Sequence, residues 1–187
     1  MISAVCIAQT VDDLVKRYGT RDPYALCGMM SVKIHRMDLE HKLKGFFFYC
    51  ARQKNIVVDT GLNDVLERVL VAHELGHALL HQEISMMRGF QEMELMEERD
   101  DQPEENEANL FAAELLLPDE EVLKSLSRMS FFESARALYV PAALLDYKLT
   151  MLKAKGYGMN VMDCHRSDFL KEDLGDYDSR WRYECEE

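Results

Sequence analysis

The sequence predicts an α+β domain in which a small antiparallel sheet is followed by helices alone. Three observations carry this. Runs of β-favouring residues are confined to residues 31–60, and the segments on both sides repeat their apolar residues at helical spacing. The second and third runs are separated only by Arg52-Gln53-Lys54, a connection suited to an antiparallel hairpin. No internal repeat and no Gly/Ser linker divides the 187 residues, a length suited to one core. The expected organisation is one domain over residues 1–156 and an acidic tail over 157–187.

The elements follow in order. Thr10 with Asp13 marks a helix start, Val11, Leu14, Val15 and Tyr18 supply its apolar side, and Gly19 stops it. Asp22-Pro23 opens a short second helix, with aspartate as the cap and proline in the first helical position. Three strands are expected, Ser31–Arg36, Gly45–Ala51 and Asn55–Thr60. Leu62, Val65, Leu66, Val69 and Leu70 then resume helical spacing and run into Ala72–His81 without a proline. Pro103 starts a helix that must end at Leu117-Pro118. Asp119 is a candidate cap for the next helix, and Ser130 with Glu133 is a capping box for another. Pro141 opens the last helix and Gly156 closes it.

Charge narrows the partners. The net charge of −12 argues against direct nucleic-acid binding, which needs a basic face. Residues 92–107 carry nine acids and one base, and residues 168–187 carry eight acids and three bases, so the rest is nearly neutral. No apolar run reaches membrane-spanning length and no signal peptide opens the chain. Five scattered cysteines without a CxxC pair read as reduced thiols, and the expected location is cytoplasmic. A second metal site at Cys164, His165 and Cys185 fits no common spacing. Met86, Met87, Met93 and Met96 read as core or flap filling.

The chemistry lies in His73-Glu74-Leu75-Gly76-His77, an HExxH motif. On a helix, positions i and i+4 share one face, so both imidazoles can reach the same ion. Glu74 is then beside the metal, placed to take a proton from water. Leu70, Val71, Ala72, Ala78 and Leu79 are uncharged, as a buried active-site helix requires.

Two histidines leave such a site one protein ligand short. His81 lies a further ~6 Å along the axis, too far for a straight helix to bring it to the same ion. It reads as a polar residue hydrogen-bonded at the helix end, or as a group supporting a ligand from behind. The better source is the next helix, whose apolar stripe is Ala108, Phe111, Ala112 and Leu115. One turn earlier on that face stands Glu105 or Glu104, and a carboxylate continuing an apolar stripe needs a cation. Helical geometry favours Glu105, with Glu104 and Glu107 as fallbacks.

The combination of HELGHALLH with EENEANLFAAELLLP about thirty residues on resembles the ImmA/IrrE family of zinc-dependent peptidases. The preceding stretch, KGFFFYCARQKNIVVDTGLNDVLERVLVAHELGH, is similar to that family's hairpin, acidic turn and active-site helix. The likeness runs from about Val11 to Leu117, weakens after Pro118 and is absent from the tail; Leu117 replaces the family's usual methionine. The resemblance implies a minimal zincin-like fold, with the small sheet packed on the HExxH helix. It implies His73, His77 and Glu105 as metal ligands, Zn2+ as the cofactor (with Mn2+ as an alternative), and Glu74 as general base. The implied reaction is peptide-bond hydrolysis, and the implied partner is a helix-turn-helix repressor of a phage or mobile element. An acidic protein suits that partner's basic DNA-binding face.

The alternative is a metal-containing binding or sensor module that regulates a repressor by contact. An intact Glu74 favours catalysis. His35, His41, Tyr139 and Tyr147 are available as oxyanion donors, although ordinary core or surface roles suit each better. Gly45–Ala51 could take an extended substrate by edge pairing. The acidic segment 92–107 is expected near the cleft mouth, as a flap or a selector of basic substrates.

Overall fold

A computed structural model describes residues 1–40, 43–81 and 103–158. Helix α1 spans Ala4–Tyr18 and starts earlier than the sequence pattern suggested. Ser3 caps it by accepting the Cys6 N–H, and Ile7 and Ala8 extend the buried stripe of Val11 and Leu14. Thr10 lies inside this helix, where its hydroxyl donates to the Cys6 carbonyl at 2.9 Å. Gly19 ends α1 at φ +70°, a left-handed conformation that favours glycine. Helix α2, Pro23–Met29, is capped by Asp22, which accepts the N–H groups of Tyr24 and Ala25.

The strands are β1 (Val32–Met37), β2 (Gly45–Cys50) and β3 (Gln53–Asp59). β2 and β3 form the expected antiparallel hairpin, but β1 pairs with β3 in parallel, giving a mixed sheet ordered β1-β3-β2. Hydrophobicity explains the order. Asn55-Ile56-Val57-Val58-Asp59 is buried throughout, so the most apolar strand occupies the centre. Gln53 joins β3, which shortens the hairpin loop to Ala51-Arg52, both at positive φ (49° and 63°). At Gly45 a Cβ would collide with the Val57 carbonyl and lie 2.7 Å from Leu70 Cδ2. Glycine therefore lets β2 enter close against both β3 and the helix behind it.

That helix, α3, spans Asp64–Leu80 and is capped by Asn63, which accepts the Leu66 N–H at 2.9 Å. Lys54 of β3 donates to the Ala78 carbonyl at 2.9 Å, tying the sheet to the helix end. Helix α4, Pro103–Leu116, packs against α1, α3 and the last helix. Every residue from Glu107 to Leu116 is buried, so this helix is a central rod rather than a surface helix with one apolar stripe. Arg21 donates to the Glu114 and Leu115 carbonyls, which its C-terminal turn would otherwise leave unpaired.

Helices α5 (Asp119–Leu126), α6 (Phe131–Ala137) and α7 (Ala142–Ala154) close the core. The capping box of Ser130 and Glu133 is present. Asp119 sits inside the first turn of α5 and does not cap it. Its carboxylate instead receives Lys148 at 2.5 Å and Lys155 at 2.8 Å. Lys148, fully buried, also donates to Glu114 at 2.7 Å, and Lys155 donates to Glu114 too. Four charges thus neutralise one another where α4, α5 and α7 meet. Among the described residues, no helix is long and apolar enough to cross a membrane. The segment 82–102, most of the tail, His41, the clustered methionines and the Cys164/His165/Cys185 group lie outside the described residues.

Candidate metal centre

The HELGH segment is helical because Asn63 caps α3 and no proline or β-branched run interrupts it after Val71. His73 and His77 project from one face, one turn apart. Helix α4 crosses that face closely because Gly76 lacks a side chain. A Cβ there would stand 3.1 Å from Phe111 Cδ1 and 3.3 Å from Ala108 Cα. The approach brings the first turn of α4 over the histidines. His73 Nε2 lies 3.2 Å from Glu105 Oε2, and His77 Nε2 lies 3.4 Å from Glu105 Oε1. The two Nε2 atoms are 3.1 Å apart, and one donor atom from each of the three residues falls within 4.8 Å of the others.

The residues behind this trio hold it in place. Nδ1 of His73 lies 2.8 Å from Asn109 Oδ1, while the Asn109 amide donates to the Tyr147 hydroxyl at 3.2 Å. With its amide nitrogen turned to Tyr147, Asn109 offers only oxygen to His73. Nδ1 of His73 therefore donates to Asn109, and Nε2 is the nitrogen free to give a lone pair to a cation. On the other side, Nδ1 of His77 lies 3.0 Å from Nδ1 of His81. Nε2 of His81 lies 3.0 Å from Glu107 Oε2, and the backbone N–H of Ile2 donates to Glu107 Oε1 at 2.5 Å. His81 also terminates α3 through its own N–H to the His77 carbonyl.

Burial grades across the cluster. The His73 side chain is 2% exposed and Glu105 is 46% exposed, so the trio is closed on the α3 side and open at the carboxylate. Burial disfavours charge on His73, but the Glu105 hydrogen bond and the charges of Glu74 and Glu105 outweigh it and raise the imidazole. Burial likewise opposes ionisation of Glu105, yet bonds to His73 and His77 hold it well below the usual carboxylate range. Glu74 behaves differently. Burial raises its carboxyl above the ordinary value, although His73, His77 and a hydrogen bond from the Phe47 backbone pull it down.

The donor set suits a divalent cation. Two imidazole nitrogens and a carboxylate converge, and His73 presents a lone pair toward the others; a cation between them satisfies all three. The structure brings together His73, His77 and Glu105, the three favoured from sequence, with Glu74 buried beside them. Of the fallback glutamates, Glu107 faces His81 and Ile2 and is not part of the trio, and Glu104 is outside it as well. Tyr147 stands behind His73 by way of Asn109, Tyr139 is 67% exposed on the loop after α6, and His35 bonds Asn55 at 3.0 Å on the sheet. The sequence pattern held Glu107 only as a fallback ligand and did not single out Asn109. The available signal for Asn109 was one polar residue in a stretch otherwise apolar from Ala108 to Ala113.

An HExxH helix crossed by a glutamate-bearing helix, with a small sheet alongside, defines a metallopeptidase-type domain. Residues 27–150 match the peptidase family described as the IrrE N-terminal-like domain, and the chain belongs to that family, the ImmA/IrrE metallopeptidases. An immunity region protein of Bacillus phage phi105, described as uncharacterized, is 37% identical over 116 residues, covering 60% of this chain and 69% of its own. The metallopeptidase ImmA of Bacillus subtilis strain 168 is 26% identical over 149 residues, covering 78% and 85%. The family implies a divalent metal, and His73, His77 and Glu105 form a group that could hold one.

Proposed function

We propose that this protein is a zinc-dependent endopeptidase that cleaves a specific protein substrate, a helix-turn-helix transcriptional repressor, with Glu74 as general base. The observation that carries the reading is the meeting of His73 Nε2, His77 Nε2 and the Glu105 carboxylate beside a buried Glu74. His73, His77 and Glu105 would hold the ion, whose Lewis acidity would make water a nucleophile at neutral pH and polarise the scissile carbonyl. Glu74 accepts the proton of the attacking water and returns it to the leaving amine nitrogen. Its raised carboxyl range suits a base that must also act as an acid.

The substrate has a natural lane along β2. The Asp59 N–H to Lys44 carbonyl bond sets the ladder phase, so Phe46, Phe48 and Cys50 exchange backbone bonds with β3. The backbone groups of Gly45, Phe47 and Tyr49 face the open edge, and Phe47 is the residue whose N–H meets Glu74. An extended peptide adding to this edge would pass the base directly. The repressor assignment draws on the family resemblance, the relative named for a phage immunity region and the net charge of −12, which complements a basic DNA-binding partner.

The deciding experiment pairs metal analysis with Glu74→Gln. The purified protein should carry about one zinc, the variant should keep it, and cleavage of a co-expressed repressor should stop. Regulation that persists in the metal-loaded variant would replace hydrolysis by control through protein contact, within a cytoplasmic metal-binding module.

A further inference from the structure

We propose that His81 and Glu107 are positioning residues that set the tautomer and orientation of His77 through one continuous hydrogen-bond chain. The inference rests on the reading of His77 as a metal ligand. Its elements are the 3.0 Å contact between the Nδ1 atoms of His77 and His81, the 3.0 Å contact between His81 Nε2 and Glu107 Oε2, and the Ile2 N–H on Glu107 Oε1. Both His81 and Glu107 are buried, at 5% and 3% exposure, so bulk water does not stand in for any of these partners.

Proton counting gives the direction. An ionised carboxylate only accepts, so His81 must present Nε2–H to Glu107. A neutral His81 then has a lone pair on Nδ1, and the single proton between the two rings belongs to His77 Nδ1. His77 is left with a lone pair on Nε2, the atom that faces His73 and Glu105. The carboxylate cannot swing away, because Ile2 holds its other oxygen. Three distant parts of the chain thus bear on one nitrogen: Ile2 just before α1, the end of α3 and the second turn of α4. Asn109 does the equivalent service for His73 by a shorter route.

Glu107→Gln tests this with almost no change of shape. A glutamine here has one oxygen for two donors. If the oxygen serves Ile2, its NH2 faces His81 Nε2 and inverts the chain, putting a proton on His77 Nε2. If the oxygen serves His81, the NH2 opposes the Ile2 N–H. Glu104→Gln removes the same charge one turn earlier on the same helix and serves as the control. In competition with a chromogenic chelator, Glu107→Gln should bind Zn2+ about 10- to 100-fold more weakly than wild type, while Glu104→Gln stays within about threefold. Equal affinity for Glu107→Gln and wild type, with the variant folded, would overturn the proposal. A wild type that binds no Zn2+ would overturn the metal-site reading beneath it, and this one with it.

Two-bond 1H–15N spectra of the zinc-loaded wild type decide the matter even if the variant does not fold. His77 should be protonated at Nδ1 and metallated at Nε2, with His81 protonated at Nε2. Protonation of His81 at Nδ1 would reject the chain as drawn.

Discussion

Asn109 Oδ1 sits 2.8 Å from His73 Nδ1, joining two buried side chains that lie 36 residues apart in the chain. The contact ties α4 to α3 independently of any ion and dictates which nitrogen of His73 carries its proton. Asn109→Leu should remove that control and lower metal affinity and turnover together, by about 10- to 100-fold. Asn109→Asp keeps an acceptor at the same place and should retain most of both. Equal losses in the two variants would show that packing, rather than the acceptor, matters here.

At Gly76 helix α3 lies close against Ala108 and Phe111 of α4. Alanine in a helix interior ordinarily gains about 1 kcal/mol over glycine. Here the added methyl meets the fully buried Phe111 ring at 3.1 Å and the Ala108 backbone at 3.3 Å, and neither can yield without moving α4. Overpacking of this kind costs about 1–3 kcal/mol. Gly76→Ala should therefore lower Tm slightly and weaken metal binding more clearly, since displacing α4 displaces Glu105. A higher Tm with unchanged metal affinity would mean that α4 is free to shift.

Lys148 supplies a test outside the His73, His77 and Glu105 group. It is fully exposure-free and holds Glu114, itself 1% exposed, together with Asp119. Lys148→Met leaves Glu114 with Lys155 alone and should cost about 3 kcal/mol in denaturant unfolding. Lys148→Met combined with Glu114→Leu removes both buried charges and should recover much of that loss. A double variant no better than the single would place the cost in packing instead of charge.

The same cluster sets a pH dependence. Burial opposes ionisation of Asp119, but Lys148 and Lys155 prevail and hold it below its ordinary value of 3.8. Its stabilisation is fully present above pH ~3.8 and is lost as pH falls through the lower folded-state value. Lys155 is raised above 10.5 by Asp119 and Glu114 against the effect of burial. Its share is complete below pH ~10.5 and is lost as pH rises through the higher folded-state value. Asp119→Asn should accordingly flatten the acid limb of a stability profile measured below pH ~4. An unchanged acid limb would remove this pair from the account.

Much of the site was legible because its signals are local. HExxH needs only helical spacing to place two imidazoles on one face, and the stripe of α4 led to Glu105 by the same periodicity. The capping box at Ser130 and the stops at Gly19 and Gly156 are equally short-range. The start of α1 lies earlier than the sequence pattern suggests, because Thr10 resembles a cap and only the packing of Ile7 and Ala8 shows otherwise. Asp119 also resembles a cap, and the lysines that claim it come from α7 and its C-cap.

The sequence by itself determined the elements, the metal-type motif and the third candidate donor, since each depends on residues within a few turns of one another. The tertiary structure alone decided that β3 lies at the centre of a mixed sheet, that Glu107 serves His81, and that Asn109 orients His73. Those outcomes depend on which surfaces meet, and no spacing along the chain encodes the direction of a strand two places over or the partner of a buried carboxylate. Burial is the physical reason: once water is excluded, each polar group must find its partner among whatever the packing brings near.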